Sequence, residues 1–520
     1  MPDSGVRLSE VLLALSIATD LGLGQPAEHL LRATRIGLRI GERLGLEEPE
    51  LATLYDVSLL TYVGCPIYGN EAAALFGDDI DFRAGAIEVD LAGLTALTFM
   101  LRRAGSGTSL ANRARQAGRI LASGGRPVVE QMANHCSAAG ELADRLGLDP
   151  QVRTGIEQSY ARWDGQGVPT GVGGHELSLA ARIAHVAEAC EVFERTAGVE
   201  AARELVRARR GGHFDPEIAA VVEADPDGLF AGIGDDPDDA VLAAEPVARG
   251  ELSEDALDGV LEAIGDFCDL RCPCFVGHAR GTAELVTGAL RQLDRPGGEI
   301  RLARRAAFVH DLGRFGVPGS VLDKPGALTG RELERVRMHS YYVERIFARP
   351  EPLRRIGLLA ATHHERMDGS GYHRGTSGAL LSVPARVLAA ADVYHALTQH
   401  RPHRSARSPS EAAATVRDEV RDGRLDGSAV EAVLAAAGQV ATRPRPGRGT
   451  GRGTGRGASL TAREVEVLGL LVQGLPNKAI AKQLGITPKT AGNHVEHLYT
   501  KLGVTNRAAA TMRALQDGLV

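Results

Sequence analysis

The segment from Ser159 to Phe193 aligns with the segment from His363 to Leu397 without a gap. At that offset of 204 residues Arg162, Asp164, Gly165, Gly167, Gly171, Gly174, Ser178 and Arg182 recur identically, and His135 falls on His339. Further upstream, AEHLLRATRIGLRIGERLGL sets His29 opposite His278 at an offset of 249, which places Thr61 and Tyr62 against His310 and Asp311. A repeat on this scale predicts two copies of one fold. The change of offset marks a 45-residue insertion between Tyr62 and His135, around FGDDIDFRAGAIEVDLAGL, where Asp78 and Asp79 read as part of a solvated loop.

With 520 residues the chain is too long for a single core. Its 44% hydrophobic and 24% charged residues place it among globular proteins. No apolar run approaches the length of a membrane span, and Asp3 and Glu10 flank an N-terminus without a basic segment leading into an apolar one. The expectation is a cytoplasmic protein without membrane contact. Six cysteines do not make a disulfide framework in a chain of this size, and Cys268, Cys272 and Cys274 have no second pair at zinc-finger spacing.

Charge is distributed unevenly. Residues 441–520 hold 12 Lys and Arg against 4 Asp and Glu, which leaves 47 against 62 for residues 1–440. A basic end on an acidic body is the footprint of nucleic-acid binding confined to that end. Residues 441–458, ATRPRPGRGTGRGTGRGA, hold nothing that builds a core and read as a linker.

From 459 onward apolar residues recur at helical spacing, and four short helices fit. Thr461 and Glu464 form a capping box for the first, Asn477 opens the second, and Thr487 caps the third with Pro488 at its first position. On the third helix Ala491, Val495, Leu498 and Leu502 make an inward stripe, leaving Lys489, Thr490, Asn493 and His497 facing outward. This helix-turn-helix resembles the LuxR-type DNA-binding domain, through its LTARE opening, NKAIA helix, TPKT turn, NHV and KLGV close. The resemblance implies double-stranded DNA as partner. It makes Lys489, Thr490, Asn493 and Lys501 candidate DNA contacts, with Lys478 and Lys482 nearer the phosphates. Ala491 and Gly492 depart from the family pattern, where Val and a longer side chain are usual.

The chemistry lies in the second copy. After His278 come the adjacent pair His310 and Asp311, then His339, the pair His363 and His364, and Asp392. Imidazoles and carboxylates at several separated positions suit first-row metals, and a carboxylate can bridge two ions. Residues 250–440 resemble the HD-GYP branch of the HD phosphohydrolases, in HDLGRFGVPGSVLDKPGALT, the following Met-His, HHERMDGSGY and ARVLAAADVYHAL. That resemblance implies an all-α fold. It also implies two divalent metal ions, iron or manganese ahead of zinc, with His278, His310, Asp311 and Asp392 on the first and His339, His363 and His364 completing the second. Hydrolysis of a phosphodiester follows, with cyclic di-GMP as the family substrate. Arg314, Lys324, Arg386 and Arg401 are candidate substrate contacts.

Four positions depart from the family. Arg314 replaces a lysine and stays protonated, so it cannot give a proton to a leaving group. The loop signature reads Gly371, Tyr372, His373, with histidine in place of proline; His395 replaces an aspartate; and Cys274 stands where some members carry a third-metal glutamate. In the first copy the ligand positions read His29, Thr61, Tyr62, His135, Ser159, Tyr160 and Glu188, which removes the bridging carboxylate and both adjacent pairs.

The expected architecture is all-α: tandem HD-domain helical lobes, degenerate at 1–240 and metal-retaining at 250–440, the linker at 441–458, and a four-helix LuxR-type helix-turn-helix at 459–520. The expected function is a metal-dependent phosphodiesterase, acting on cyclic di-GMP or a related nucleotide, coupled to a DNA-binding transcription regulator that forms a homodimer. The alternative is a non-catalytic nucleotide-sensing transcription factor whose HD lobes serve only as sensor and dimerisation modules.

Overall fold

The computed structural model describes residues 3–67, 69–439, 460–472, 477–502 and 510. Its elements are almost all helical. No helix among the described residues is long and apolar enough to cross a membrane. Residues Met1–Ala441 and Thr442–Val520 form separate compact units. The linker at 441–458 and the fourth helix of the C-terminal unit lie outside the described residues, apart from Ala510.

The repeat read from the sequence is visible as matched helices. His29–Arg43 corresponds to His278–Gln292, and Glu48–Leu60 to Gly297–Val309, at the 249-residue offset. Arg126–Arg145 begins 204 residues before Gly330–Ile346, and the 3-10 turns Gly174–Glu176 and Gly378–Leu380 keep that spacing. The same local devices recur in both copies. The Asp20 Oδ1 atom accepts from Leu30 N at 3.3 Å, and the Asp269 Oδ2 atom accepts from Ala279 N at 3.1 Å, so each carboxylate satisfies an otherwise orphan donor in the first turn of the helix that carries the histidine. Just before those helices Gly277 has φ +80° and Glu28 has φ +74°. The left-handed conformation suits glycine, and the first copy keeps it with a bulkier residue.

The insertion forms three helices, Asp79–Ile87, Gly93–Arg103 and Leu110–Ser123. Asp78 caps the first of them, accepting from Ile80 N at 3.0 Å. The solvated-loop reading is corrected for Asp79. It is fully buried and paired with Arg271 and Arg83, because the turn that carries it is wedged between the two copies.

The two lobes share one continuous apolar core, running from Val6 through Leu434. A short antiparallel pairing of Asp3–Arg7 with Glu251–Ser253 joins the starts of the two copies. At a second contact Gly319 meets the backbone of Gly69. A Cβ on Gly319 would lie 2.4 Å from the Gly69 carbonyl carbon, so no larger residue fits.

In the C-terminal unit the helices are Ala462–Val472, Asn477–Leu484 and Pro488–Leu502. Glu464 Oε2 accepts from Thr461 N at 2.7 Å and Glu464 N donates to Thr461 Oγ1 at 3.3 Å, the reciprocal bonds of a capping box. Ala491, Val495 and Leu498 are buried against Val467, Leu468, Leu471 and Ile480, with Leu502 packed at the margin.

Candidate metal centre

Five elements of the second copy deliver the seven candidate ligands to one place. His278 opens its helix, and His310 and Asp311 follow the end of Gly297–Val309. His339 lies in Gly330–Ile346, His363 and His364 follow Glu351–Ala360, and Asp392 lies in Val383–Thr398. His278, His310, His339 and His363 are fully buried, and Asp311 and Asp392 nearly so.

Asp311 is the hub. Its Oδ2 atom lies 3.6 Å from His278 Nε2 and 3.2 Å from His310 Nε2, while Oδ1 lies 3.5 Å from His339 Nε2 and 3.7 Å from His363 Nε2. Asp392 repeats the pattern from the other side, with Oδ1 at 3.1 Å from His278 Nε2 and Oδ2 at 3.8 Å from His364 Nδ1. Two groupings thus have the geometry to hold a cation, His278 with His310 and Asp311, and His339 with His363 and His364.

The ring orientations are set from outside. His310 Nδ1 donates to Ala307 O at 2.7 Å, His339 Nδ1 to Val336 O at 2.5 Å and His363 Nδ1 to Ala360 O at 2.7 Å. Each bond holds the ring with Nε2 directed inward, where His339 Nε2 and His363 Nε2 meet at 2.9 Å. His278 is held differently, by His395 Nδ1 at 3.0 Å from its own Nδ1. His310 Nε2 and Asp311 Oδ1 are sealed from solvent and make no directed hydrogen bond, while Asp311 Oδ2 is met by Arg314. Buried polar atoms left in this state are costly unless something satisfies them, and a cation suits both imidazole and carboxylate donors.

Electrostatics agree with that chemistry. Burial drives His339 down to about 4, and holds His363 and His364 well below the usual imidazole range, so all three stand neutral and able to ligate. Burial would also lower His310, but Asp311 and Asp392 outweigh it and raise it to about 10, so its imidazole must give up a proton to ligate a cation. For Asp311 burial opposes ionisation, yet Arg314 and His310 hold it well below the usual carboxylate range.

The four cationic candidates divide. Arg314 Nη1 lies 2.6 Å from Asp311 Oδ2, and its guanidinium stacks 4.2 Å from the Phe275 ring centroid. Arg401 lies 4.5 Å from the same centroid and donates to Cys274 O at 2.7 Å. The other two are engaged elsewhere. Lys324 pairs with Glu332 at 2.6 Å, and Arg386 pairs with Asp426 at 3.2 Å while donating to Leu381 O and Gly378 O.

In the signature loop a Cβ on Gly371 would lie 2.5 Å from Glu365 Cα and from Arg366 N, so only glycine fits. The Tyr372 ring packs on His364 with centroids 4.7 Å apart, and His373 Nε2 meets Glu344 Oε2 at 3.1 Å, which anchors the loop where a proline is absent. Sequence reasoning missed Phe275, whose ring organises both arginines, and Glu344. Neither lies in a recognisable motif: Phe275 stands three residues before His278, and Glu344 five after His339.

On the DNA side Lys478, Lys482, Lys489, Thr490 and Asn493 are exposed. Thr490 N donates to Thr487 Oγ1 at 3.1 Å. Lys501 instead reaches Glu464 Oε2 at 2.6 Å, an ion pair inside the unit.

Comparison with known proteins decides the family. Residues 262–429 match the family model described as "HD domain", and residues 458–514 that of "Bacterial regulatory proteins, luxR family". The chain is 32% identical to 3'3'-cGAMP-specific phosphodiesterase 3 of Vibrio cholerae, over 79% of its own length and 90% of that protein's. It belongs to the HD-domain phosphodiesterases. A crystal structure of the cyclic GMP-AMP specific phosphodiesterase V-cGAP3 of V. cholerae superposes with a TM-score of 0.57 at 29% identity, covering 84% of this chain and 98% of that one. The cyclic di-GMP phosphodiesterase response regulator RpfG of Xanthomonas campestris is 37% identical over 36% of this chain and 50% of its own. As an HD-domain phosphodiesterase the protein is metal-dependent, and its luxR-family segment makes it a DNA-binding regulator as well.

Proposed function

We propose that the second lobe hydrolyses a 3'3'-cyclic dinucleotide with two divalent ions held by His278, His310, Asp311, His339, His363, His364 and Asp392. The observation that carries this is the split environment of the Asp311 carboxylate, each oxygen facing a different pair of imidazole Nε2 atoms. Bound there, such ions supply a nucleophile from water at neutral pH and neutralise charge on the leaving oxygen. Iron or manganese suits this mixed imidazole and carboxylate set better than zinc, which prefers a closed tetrahedral site.

The chain's own residues do the rest. Arg314 and Arg401, both against Phe275, place two fixed positive charges beside Asp311 and orient a phosphodiester. Tyr372 braces His364, and the Gly371 turn brings that ring in. The V. cholerae relative covered over most of its length is named for 3'3'-cGAMP, and that hybrid dinucleotide is the first substrate to test. In the C-terminal unit Lys489, Thr490 and Asn493 face the major groove and Lys478 and Lys482 the phosphates. The protein acts as a homodimer, since helix-turn-helix units pair to read two half-sites.

The deciding experiment follows release of linear dinucleotide from 3'3'-cGAMP and cyclic di-GMP by the full chain loaded with Mn2+ or Fe2+. Turnover by the wild type and a loss of at least a hundredfold in Asp311→Asn are expected. Equal turnover by both forms overturns the assignment.

One observation favours a second reading, a sensor that binds nucleotide without turnover. Arg314, which cannot act as an acid, occupies the lysine position and sits on the bridging carboxylate. Saturable nucleotide binding by the metal-loaded wild type, with no product formed, selects that reading.

A further inference from the structure

The first copy lost its metal ligands, and the place they occupied is now an apolar cavity. Its volume is about 280 Å³, toward the lower end for small-molecule sites. The floor is formed by residues at the former ligand positions, Tyr62, His135, Ser159, Tyr160 and Glu188. Tyr62 and Tyr160 pack with centroids 5.5 Å apart, and Tyr160 Oη meets Cys65 Sγ at 2.6 Å, so phenol rings stand at the positions of Asp311 and His364, and a thiol at that of Arg314.

The roof is the insertion. Phe82, Arg83 and Ile87 come from its first helix and Ala96 and Met100 from its second, while Leu23, Val128 and Met132 close the sides. The lost chemistry and the added roof coincide at a single point in the fold. A solvated relic would not require two inserted helices to cover it, whereas an apolar ligand would.

The charges inside decide what that ligand carries. Arg83 is paired with Asp79 at 2.8 Å and donates to Gly22 O. Arg162 is paired with Asp164 at 2.9 Å and with Asp90. Glu188 faces His29 Nε2 at 3.6 Å, and His29 is raised to about 10, since Glu188 and Glu191 outweigh its burial. Arg209 alone among these is left over. It is 8% exposed, donates to the backbone carbonyl of Glu88 at 3.1 Å and lies 5.9 Å from the Phe193 and Phe214 ring centroids, yet among the described residues it forms no ion pair. The charges of Asp90 and Glu188 reach it without an ion pair, and Asp90 is already held by Arg162, so a further anion can complete this largely buried guanidinium.

We propose that this cavity binds a small amphiphilic monocarboxylate, an apolar chain or ring under the inserted helices with its carboxylate on Arg209. The first lobe is then a ligand-binding module, and this inference stands whether or not the second lobe turns over nucleotide.

The chain's single tryptophan, Trp163, follows Arg162 of the cavity wall in sequence but packs its ring against His175, so binding is read by calorimetry rather than by its fluorescence. The full-length protein is titrated with decanoate, 1-decanol and decyltrimethylammonium, each below its aggregation threshold. Decanoate is expected to saturate at one per chain, decanol to bind at least tenfold more weakly, and the cationic probe not at all. Arg209→Met should bring decanoate to the level of decanol. Ala96→Trp fills the cavity from a helix with no fully buried residue, and should weaken both at least tenfold without unfolding the lobe. The proposal is overturned if the wild type shows no saturable decanoate binding, if decanol binds as tightly as decanoate, or if Ala96→Trp binds decanoate unchanged.

Discussion

Arg271 and Asp79 form an ion pair at 2.8 Å with both side chains fully buried, and it joins the two copies of the fold. Asp79 belongs to the inserted segment of the first copy and Arg271 to the loop before the metal-bearing helices of the second. The pair has further partners: Arg271 also donates to Pro66 O and Val317 O, and Asp79 accepts from Gly319 N at 2.7 Å and pairs with Arg83. Such a site fixes which surfaces meet, because either charge alone in that interior is penalised heavily.

Removing one partner should therefore cost more than a surface pair ever does. Arg271→Met is expected to destabilise the body by about 3–5 kcal/mol. Asp79→Leu combined with Arg271→Met should recover part of that loss, as read from denaturant unfolding of the single and double variants.

The same pair predicts an acid limit. Burial raises Asp79, but Arg271 and Arg83 outweigh it and hold the carboxyl below its ordinary value. A depressed folded pKa gives stability that is fully present above about pH 4, the unfolded carboxylate value, and is lost as pH falls through the folded one. Unfolding measured from pH 7 down to pH 3 should show this loss, and Asp79→Asn should flatten the acid limb.

His395 is the third test. Its contact with His278 orients a ligand from outside the centre, where its family counterpart is an aspartate. His395→Ala is expected to lower metal affinity by about 10–100-fold with little change in fold, as measured by competitive chelation.

Lys489 and Lys501 should behave differently on DNA although both are basic residues of one helix. Lys489 is exposed and makes no ion pair among the described residues, whereas Lys501 holds the capping glutamate Glu464. Lys489→Ala should weaken duplex binding and reduce the salt slope by about 0.9. Lys501→Ala should lower the melting temperature of the C-terminal unit while leaving that slope nearly unchanged. Fluorescence anisotropy across a salt series separates the two.

Much of this was legible in the sequence because it was written in local patterns. The repeat offsets fixed which helices correspond, down to the 3-10 turns at Gly174 and Gly378, and the capping signals at Thr461 and Pro488 marked helix starts. Six of the seven ligand candidates fall into two groupings with the spacing to hold a cation, and Asp392 lies beside His278. What was not legible depends on contacts between distant segments. Asp79 looks solvated in a run of acidic residues, and only Arg271, 192 positions away, makes it a buried partner. Lys324 and Arg386 lie in the motif neighbourhood, but their acids, Glu332 and Asp426, turn them to structural work. Phe275 carries no motif at all, and the cavity over Tyr160 exists only because the insertion folds back across it.

The most direct test of the central claim is metal stoichiometry. Elemental analysis of full-length protein reconstituted without oxygen with Mn2+ or Fe2+ should give two ions per chain, falling to one or none in Asp311→Asn. A wild type that retains no ion, or an Asp311→Asn variant that retains the same number as the wild type, would contradict a shared carboxylate at the heart of the site.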